Sequence, residues 1–276
     1  MPVRMTLPPT LADRLATSDR PLVGMWVCSG SALNAEIAAG SGLDVVLIDA
    51  EHSPNGPESI IAQLHAVAAY PVVPLVRPPF GDTVVIKQYL DLGVQNLLVP
   101  MVDSAEQATE VVRAVRYPPL GVRGVGSALA RSSRWNRVPG YLADASSTIS
   151  LFVQVESQSA VEHVAEIVAV DGVDGILVGP ADLAASMGHL GGQGHPEVVD
   201  GVLRSIRAAV AAGKPCGVNA FDPAAADRYL AAGAAFVLVG ADVSLLARAS
   251  EALAARFIAD ASVASDASTD AQRASY

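Results

Sequence analysis

Two carboxylates, a histidine and an arginine each stand where a short apolar run gives way to a polar loop. Gln154 and Glu156 close the run 149–155 and are two residues apart, so on a strand both point to the same side. Asp182 follows the next apolar run, 174–178, inside the segment GPADLAASMG. Adjacent strands lie about 5 Å apart, so Glu156 and Asp182 can converge on one cation. An all-oxygen pair with no cysteine beside it suits Mg2+ or Mn2+, with water or substrate completing the shell. Taken singly, Glu156 reads as a solvated loop carboxylate and Asp182 as a helix cap. Their placement at neighbouring strand ends favours the metal.

His52 follows the run 44–49 and precedes Ser-Pro, which sets it in an exposed turn as a candidate proton shuttle; Asp49 and Glu51 are close enough to tune it. The plainer reading is a histidine that only holds a loop. Arg77 ends the run 71–76 just before Pro-Pro. A buried arginine there needs an anion, either a protein carboxylate in a structural salt bridge or a substrate. The lysines decide a mechanistic fork. Only Lys87 and Lys214 occur, one inside a helical run and one ahead of the seventh strand. Neither is placed to form a Schiff base with a substrate carbonyl, so carbonyl–enolate chemistry here requires a metal as electron sink.

The elements that must hold these groups alternate along the whole chain. Strands are expected at 21–27, 44–49, 71–76, 96–100, 149–155, 174–178, 215–219 and 235–239. Helices are expected at 32–39, 57–69, 83–92, 105–115, 160–168, 197–212, 223–232 and 244–257. The strand runs are nearly continuous in apolar residues, as strands covered on both faces require. Eight strand–helix units in unbroken alternation predict a single-domain α/β fold, the (β/α)8 TIM barrel, whose polar strand ends form the active site. A doubly wound open sheet would usually carry a glycine-rich nucleotide turn after its first strand, and none is present at 27–31. The barrel is expected over 21–258, after an N-terminal extension of 1–20 and before a polar, disordered tail at 259–276. The longest break, 116–147, reads as a functional loop.

Composition narrows the partners. The 276 residues carry a net charge of -10 with no basic face, which argues against nucleic acid and anionic membrane. No run approaches the roughly 18–20 apolar residues of a membrane span, and the N-terminus lacks the apolar core of a signal peptide. Cys28 and Cys216 sit in apolar runs and read as reduced packing residues of a cytoplasmic protein.

The segments GMWVCSG, DVVLIDAEHSPN, PLVRPP, KQYLDLGVQNLLVPMV, YPPLGVRGVGSALARSSRWNR, VQVES and GPADLAASMG, in this order, closely resemble the HpcH/HpaI aldolases over about residues 21–253. The resemblance implies a class II pyruvate aldolase active in aromatic catabolism. It would cleave a 4-hydroxy-2-oxo acid, such as 4-hydroxy-2-oxoheptanedioate, reversibly to pyruvate and an aldehyde such as succinate semialdehyde. It also implies a divalent metal (Mg2+, Mn2+ or Co2+) on Glu156 and Asp182, with the oxo acid contacting Gln154, Ala181 and Asp182. His52 would be the base, Arg77 would stabilise the enolate, and Asp91 would raise the basicity of the histidine. Asp91 falls near the end of a helix, away from the mouth, and the family's hexamers (trimers of dimers with helix exchange) make a neighbouring subunit its natural recipient. Ser157 stands where relatives often have Thr after the metal-binding Glu, and the hydroxyl is kept. A 2-keto-3-deoxy sugar-acid aldolase and a CoA-ester lyase remain alternatives, although no basic groove for a CoA diphosphate is evident. An inactive barrel serving as an assembly subunit is the non-enzymatic one.

Overall fold

The computed structural model describes residues 3–258; the tail expected at 259–276 lies outside the described residues. Eight parallel strands close into a barrel in chain order: β1 Leu22–Val27, β2 Val45–Asp49, β3 Val73–Arg77, β4 Asn96–Val99, β5 Ser150–Val155, β6 Gly175–Val178, β7 Cys216–Asn219 and β8 Phe236–Ala241. The expected (β/α)8 barrel is therefore the fold, and every expected strand is present to within about two residues, the usual uncertainty of element ends.

Two apolar layers follow from the period of two along each strand. Side chains pointing outward, such as Val46, Ile48, Val76 and Val153, pack against the helices. Those pointing inward, Val45, Leu47, Val73, Leu75, Phe152, Leu177, Phe236 and Leu238, fill the barrel. The rings of Phe152 and Phe236 meet edge to face at 5.7 Å. Continuing the inward series by one step reaches Asp49 on β2, Arg77 on β3 and Gln154 on β5, so the top layer of the barrel interior is polar. β2 and β3 pair with Asp49 directly opposite Arg77, which fixes their contact through backbone register.

Three local features depart from the sequence reading. The N-terminal extension contains a helix, Leu11–Thr17, opened by a capping box between Thr10 and Asp13. Its Leu11 is fully buried in the barrel's inner cluster and its backbone N–H donates to Asn96 Oδ1 at 2.6 Å, so the extension plugs the end of the barrel opposite the polar layer. The helix expected at 160–168 is two, Gln158–Glu162 and Val164–Ala169, parted at His163. A short helix, Pro180–Ser186, follows β6 and carries Asp182 in its first turn. Among the described residues no helix is long and apolar enough to cross a membrane.

Candidate active site

Arg77 is the centre of the polar layer. It is 5% exposed, and its Nε donates to Asp49 Oδ1 at 2.7 Å. Its Nη1 lies 2.8 Å from Glu51 Oε2, off the N–H axis, so this contact is an ion pair without a formed hydrogen bond. Nη1 also reaches Gln154 Oε1 at 3.4 Å, and the guanidinium stacks over Trp26 at 4.4 Å from the ring centroid. Burial works against its charge, but the hydrogen bond it donates to Asp49 and the charges of Asp49, Glu51 and Glu156 outweigh it and hold the guanidinium above its ordinary range.

Asp49 does a second job. Its carboxylate accepts the backbone N–H groups of Glu51 at 3.1 Å and His52 at 3.2 Å, which folds the loop after β2 back over the strand end. That turn puts the His52 ring in the mouth, two-thirds exposed, with Nε2 3.8 Å from Glu51 Oε2. His52 and Arg77 thus share Glu51 at different depths.

Glu156 lies just past β5, 2% exposed. Its Oε1 accepts the Met101 N–H at 2.8 Å and its Oε2 accepts the Gln154 amide. Burial, together with the nearby charges of Asp182 and Glu51, pushes its carboxyl up to about 7. Glu51 is also raised, first by burial and then by Asp49 and Asp182. Four carboxylates, Asp49, Glu51, Glu156 and Asp182, therefore act on one another around a single guanidinium. Asp49 and Glu156 are buried, Glu51 is half-buried and Asp182 is exposed, and this surplus of negative charge fits a divalent cation. Gly179 adds no side chain at this spot: a Cβ there would sit 3.0 Å from both Gln154 Nε2 and Glu156 Oε2 and crowd the carboxylate. A cleft of about 670 Å3 opens beside the layer, with Glu51, Phe80, Gly81 and Met101 among its lining.

The raised Glu156 carboxyl has a measurable consequence. Its folded value of about 7 exceeds the unfolded value of about 4.3, so the folded state holds the proton more tightly. The stabilisation from that protonation is present at low pH and is lost as pH rises from about 4 to about 7, at most about 4 kcal/mol. Metal-free protein should accordingly melt at progressively lower temperature across this window relative to Glu156→Gln, and saturating Mn2+ should close the gap. Parallel melting curves for the two proteins across the window would show that Glu156 does not carry this charge.

The profile of the HpcH/HpaI aldolase/citrate lyase family matches residues 22–249, nearly the whole barrel. The chain belongs to this family. It is 56% identical to the hydroxypyruvate/pyruvate aldolase of Deinococcus radiodurans, over 93% of this chain and 94% of that protein. It is 52% identical to the 4-hydroxy-2-oxo-heptane-1,7-dioate aldolase of Shigella sonnei, over 88% of this chain and 92% of that one. Among solved structures, an HpcH/HpaI aldolase/citrate lyase family protein from Burkholderia cenocepacia superposes with a TM-score of 0.85 at 39% identity, covering 90% of this chain and 99% of the other. As a member of the HpcH/HpaI family the chain is an aldolase, a carbon–carbon lyase.

Of the residues singled out in the sequence, the structure brings Arg77, Gln154, Glu156, Asp49, Glu51 and His52 together, with Ala181 and Asp182 beside them in the first turn of the helix Pro180–Ser186. Asp91 is not with them. It ends the helix Thr83–Asp91 and pairs with the fully buried Arg123 at 3.2 Å. Ser157 caps the helix after β5, accepting the Ala160 N–H at 2.9 Å while its hydroxyl donates to Asp103. Trp26 escaped the sequence reading as a site residue. It stacks on Arg77 and its indole N–H donates to Asn219 Oδ1 at 2.9 Å, tying β1 to β7 across the mouth. A second group of possible ligands, His189, His195 and Glu197, also went unnoticed, since its spacing matches no metal motif. It lies between helices Pro180–Ser186 and Pro196–Ala211, where Glu197 accepts from His189 at 2.7 Å and the two imidazoles stack at 3.5 Å.

Proposed function

We propose that this aldolase is divalent-metal-dependent and cleaves a 4-hydroxy-2-oxo acid to pyruvate and an aldehyde. The observation that carries the reading is the buried Arg77 set among Asp49, Glu51, Gln154 and Glu156 at the mouth, with no lysine among them. Lys214 Nζ is engaged by the Val173 carbonyl at 2.7 Å, and Lys87 lies in the helix Thr83–Asp91. A Schiff base has no nitrogen to form on.

Glu156 and Asp182 would hold Mg2+, Mn2+ or Co2+, which when bound acts as a Lewis acid toward the 2-oxo carboxylate of the substrate. Gln154 and the backbone at Ala181 orient that oxo-acid end. His52 removes the proton from the C4 hydroxyl. The C3–C4 bond then breaks, the aldehyde leaves, and the electron pair moves toward the C2 oxygen. Arg77, planar and always charged, stabilises the charge that develops there. Protonation at C3 gives pyruvate, and the reverse sequence is aldol addition. The name of the Deinococcus relative favours hydroxypyruvate as a second nucleophile for the same site.

A homo-oligomer, which the family resemblance implies is a hexamer, is supported by the helix Asp242–Phe257. None of its residues is buried, and it exposes Leu245, Leu246, Leu253 and Phe257. In such an assembly Asp91 serves the His52 of a neighbouring subunit, since within its own chain it faces Arg123. Two free cysteines support a reducing, cytoplasmic setting.

The test is an assay of pyruvate release from a panel of 4-hydroxy-2-oxo acids. Protein treated with EDTA is expected to lose activity and to regain it with Mn2+, Mg2+ or Co2+. Borohydride added with pyruvate should leave no covalent adduct. Full activity in stripped protein, or a borohydride adduct on Lys87 or Lys214, would overturn the proposal.

A further inference from the structure

The end of the barrel opposite the mouth holds a charge imbalance that the aldolase site does not explain. Arg131 and Arg134 lie in the long segment between β4 and β5, both half-buried, and neither has a carboxylate partner among the described residues. Their guanidiniums donate to backbone carbonyls: Arg131 Nη1 to Leu92 O at 3.2 Å and Arg134 Nη1 to Arg131 O at 2.6 Å. The two Nη1 atoms lie 2.7 and 2.9 Å from the single point that a Cβ on Gly93 would occupy, so the guanidiniums converge across that gap. Gly93 sits at φ +91, in the left-handed region that an L side chain rarely adopts, so the gap stays open.

Burial and mutual repulsion push Arg131 down to about 10, and burial lowers Arg134 as well. His65 is lowered too, first by burial and then by the two arginines. Removing cations from water without a counter-charge is unfavourable, so like charges do not gather this way unless something negative joins them. The chain holds them there against strain. Arg134, Trp135 and Asn136 are three successive non-glycine residues with φ of 52, 53 and 60. The turn is pinned by Ser133, whose hydroxyl donates to Ser127 O at 2.5 Å and accepts the Asn136 N–H at 2.9 Å.

Both arginines line a cavity of about 530 Å3 that also takes in Arg14, Leu64, Val67 and Pro71. The N-terminal segment from Met5 to Pro9 forms another wall. This volume falls in the range of small-molecule sites, and it combines an apolar wall with convergent cations. In a chain with a net charge of -10, a concave cluster of unpaired cations is a local exception.

We propose that this cavity is a second binding site, distinct from the mouth, for a small organic oxyanion, a carboxylate or phosphate ester whose charged end lies between Arg131 and Arg134 and whose carbon skeleton lies against Leu64 and Val67. Guanidinium forks match both anions in the same bidentate way, so the class is set by the shared oxyanion chemistry.

Isothermal titration of the full-length protein with inorganic phosphate and with succinate, at constant ionic strength, tests the assignment and separates the two sources. Saturable binding of at least one probe is expected, and the tighter probe names the source. Arg134→Gln and Arg131→Gln should each weaken it by about tenfold or more, the scale of a lost hydrogen bond to a charged group. Arg134→Lys should retain part of it. Arg14→Glu, an exposed change that places a negative charge at the rim, should weaken binding without touching the packed turn, which covers the case in which a glutamine variant does not fold. Binding of neither probe overturns the proposal, as does binding that all four variants leave unchanged. Displacement of the probe by pyruvate with Mn2+ places it in the mouth and also overturns it. So does a change of oligomeric mass in Arg134→Gln with no probe binding to the unmodified protein, since the counter-charge is then a second copy of the chain.

Discussion

Arg77→Ala is expected to lower kcat by about 10²–10³, the usual loss when one preorganised donor to a developing oxyanion is removed. It should also destabilise the fold by about 3–5 kcal/mol, because a buried charge pair is broken from one side. The second effect follows from the register. Asp49 is 1% exposed and stands opposite Arg77 on the neighbouring strand, so the truncation strands a carboxylate beneath the mouth. The two losses can be separated. Arg77→Met combined with Asp49→Asn removes both charges, which should return much of the stability but none of the activity. Arg77→Lys keeps one charge but cannot span Asp49, Glu51 and Gln154 together as the guanidinium does, so an intermediate kcat is expected. The measurements are kcat with saturating Mn2+, bound metal and thermal melting. Near-normal kcat for Arg77→Ala at a wild-type melting temperature would remove Arg77 from the chemistry.

Much of this site was legible because it lies on strands. The period of two put Gln154 and Glu156 on one side, and the inward series on β2 and β3 ends at Asp49 and Arg77 with no help from the loops. What stayed hidden depends on contacts between distant segments. Trp26 and Asn219 meet from β1 and β7, strands far apart in the chain and not neighbours in the barrel, and neither type announces the contact. The plug helix Leu11–Thr17 is too short for an apolar period to emerge, although its Thr10–Asp13 capping box is written in the sequence. Arg123, fully buried beside Asp91, lies in a segment with no regular pattern to show which face turns inward. The segment 116–147, read from the sequence as one long functional loop, contains the 3-10 turn Arg131–Ser133 and the helix Tyr141–Asp144, and its Arg131 and Arg134 line a cavity at the far end of the barrel.

His52→Ala should abolish most aldol cleavage while sparing part of pyruvate enolisation, because the two residues facing Glu51 sit at different depths. Arg77 is buried against the floor of the mouth, where the C2 oxygen of a bound oxo acid would lie, whereas His52 is two-thirds exposed at the rim, on the side from which an aldehyde departs. The backbone of the loop is held by Asp49 and not by the imidazole, so truncating the ring leaves the turn and the Arg77 cluster in place. Loss of a general base usually costs about 10²–10⁴ in rate, and cleavage should fall by that amount. Exchange of the pyruvate methyl protons with D2O needs only acidification of the C3 protons, which under the proposed mechanism Arg77 and a metal held by Glu156 and Asp182 would promote without the histidine, so exchange should fall far less. Both rates are read on one sample, cleavage by pyruvate release and exchange by NMR, with bound metal measured alongside. Equal loss in both with full metal content would mean that His52 also handles the C3 proton and that the division by depth is wrong. Unchanged cleavage would shift the base to Glu51, whose carboxyl is raised by burial and whose Oε2 lies 3.8 Å from the same imidazole.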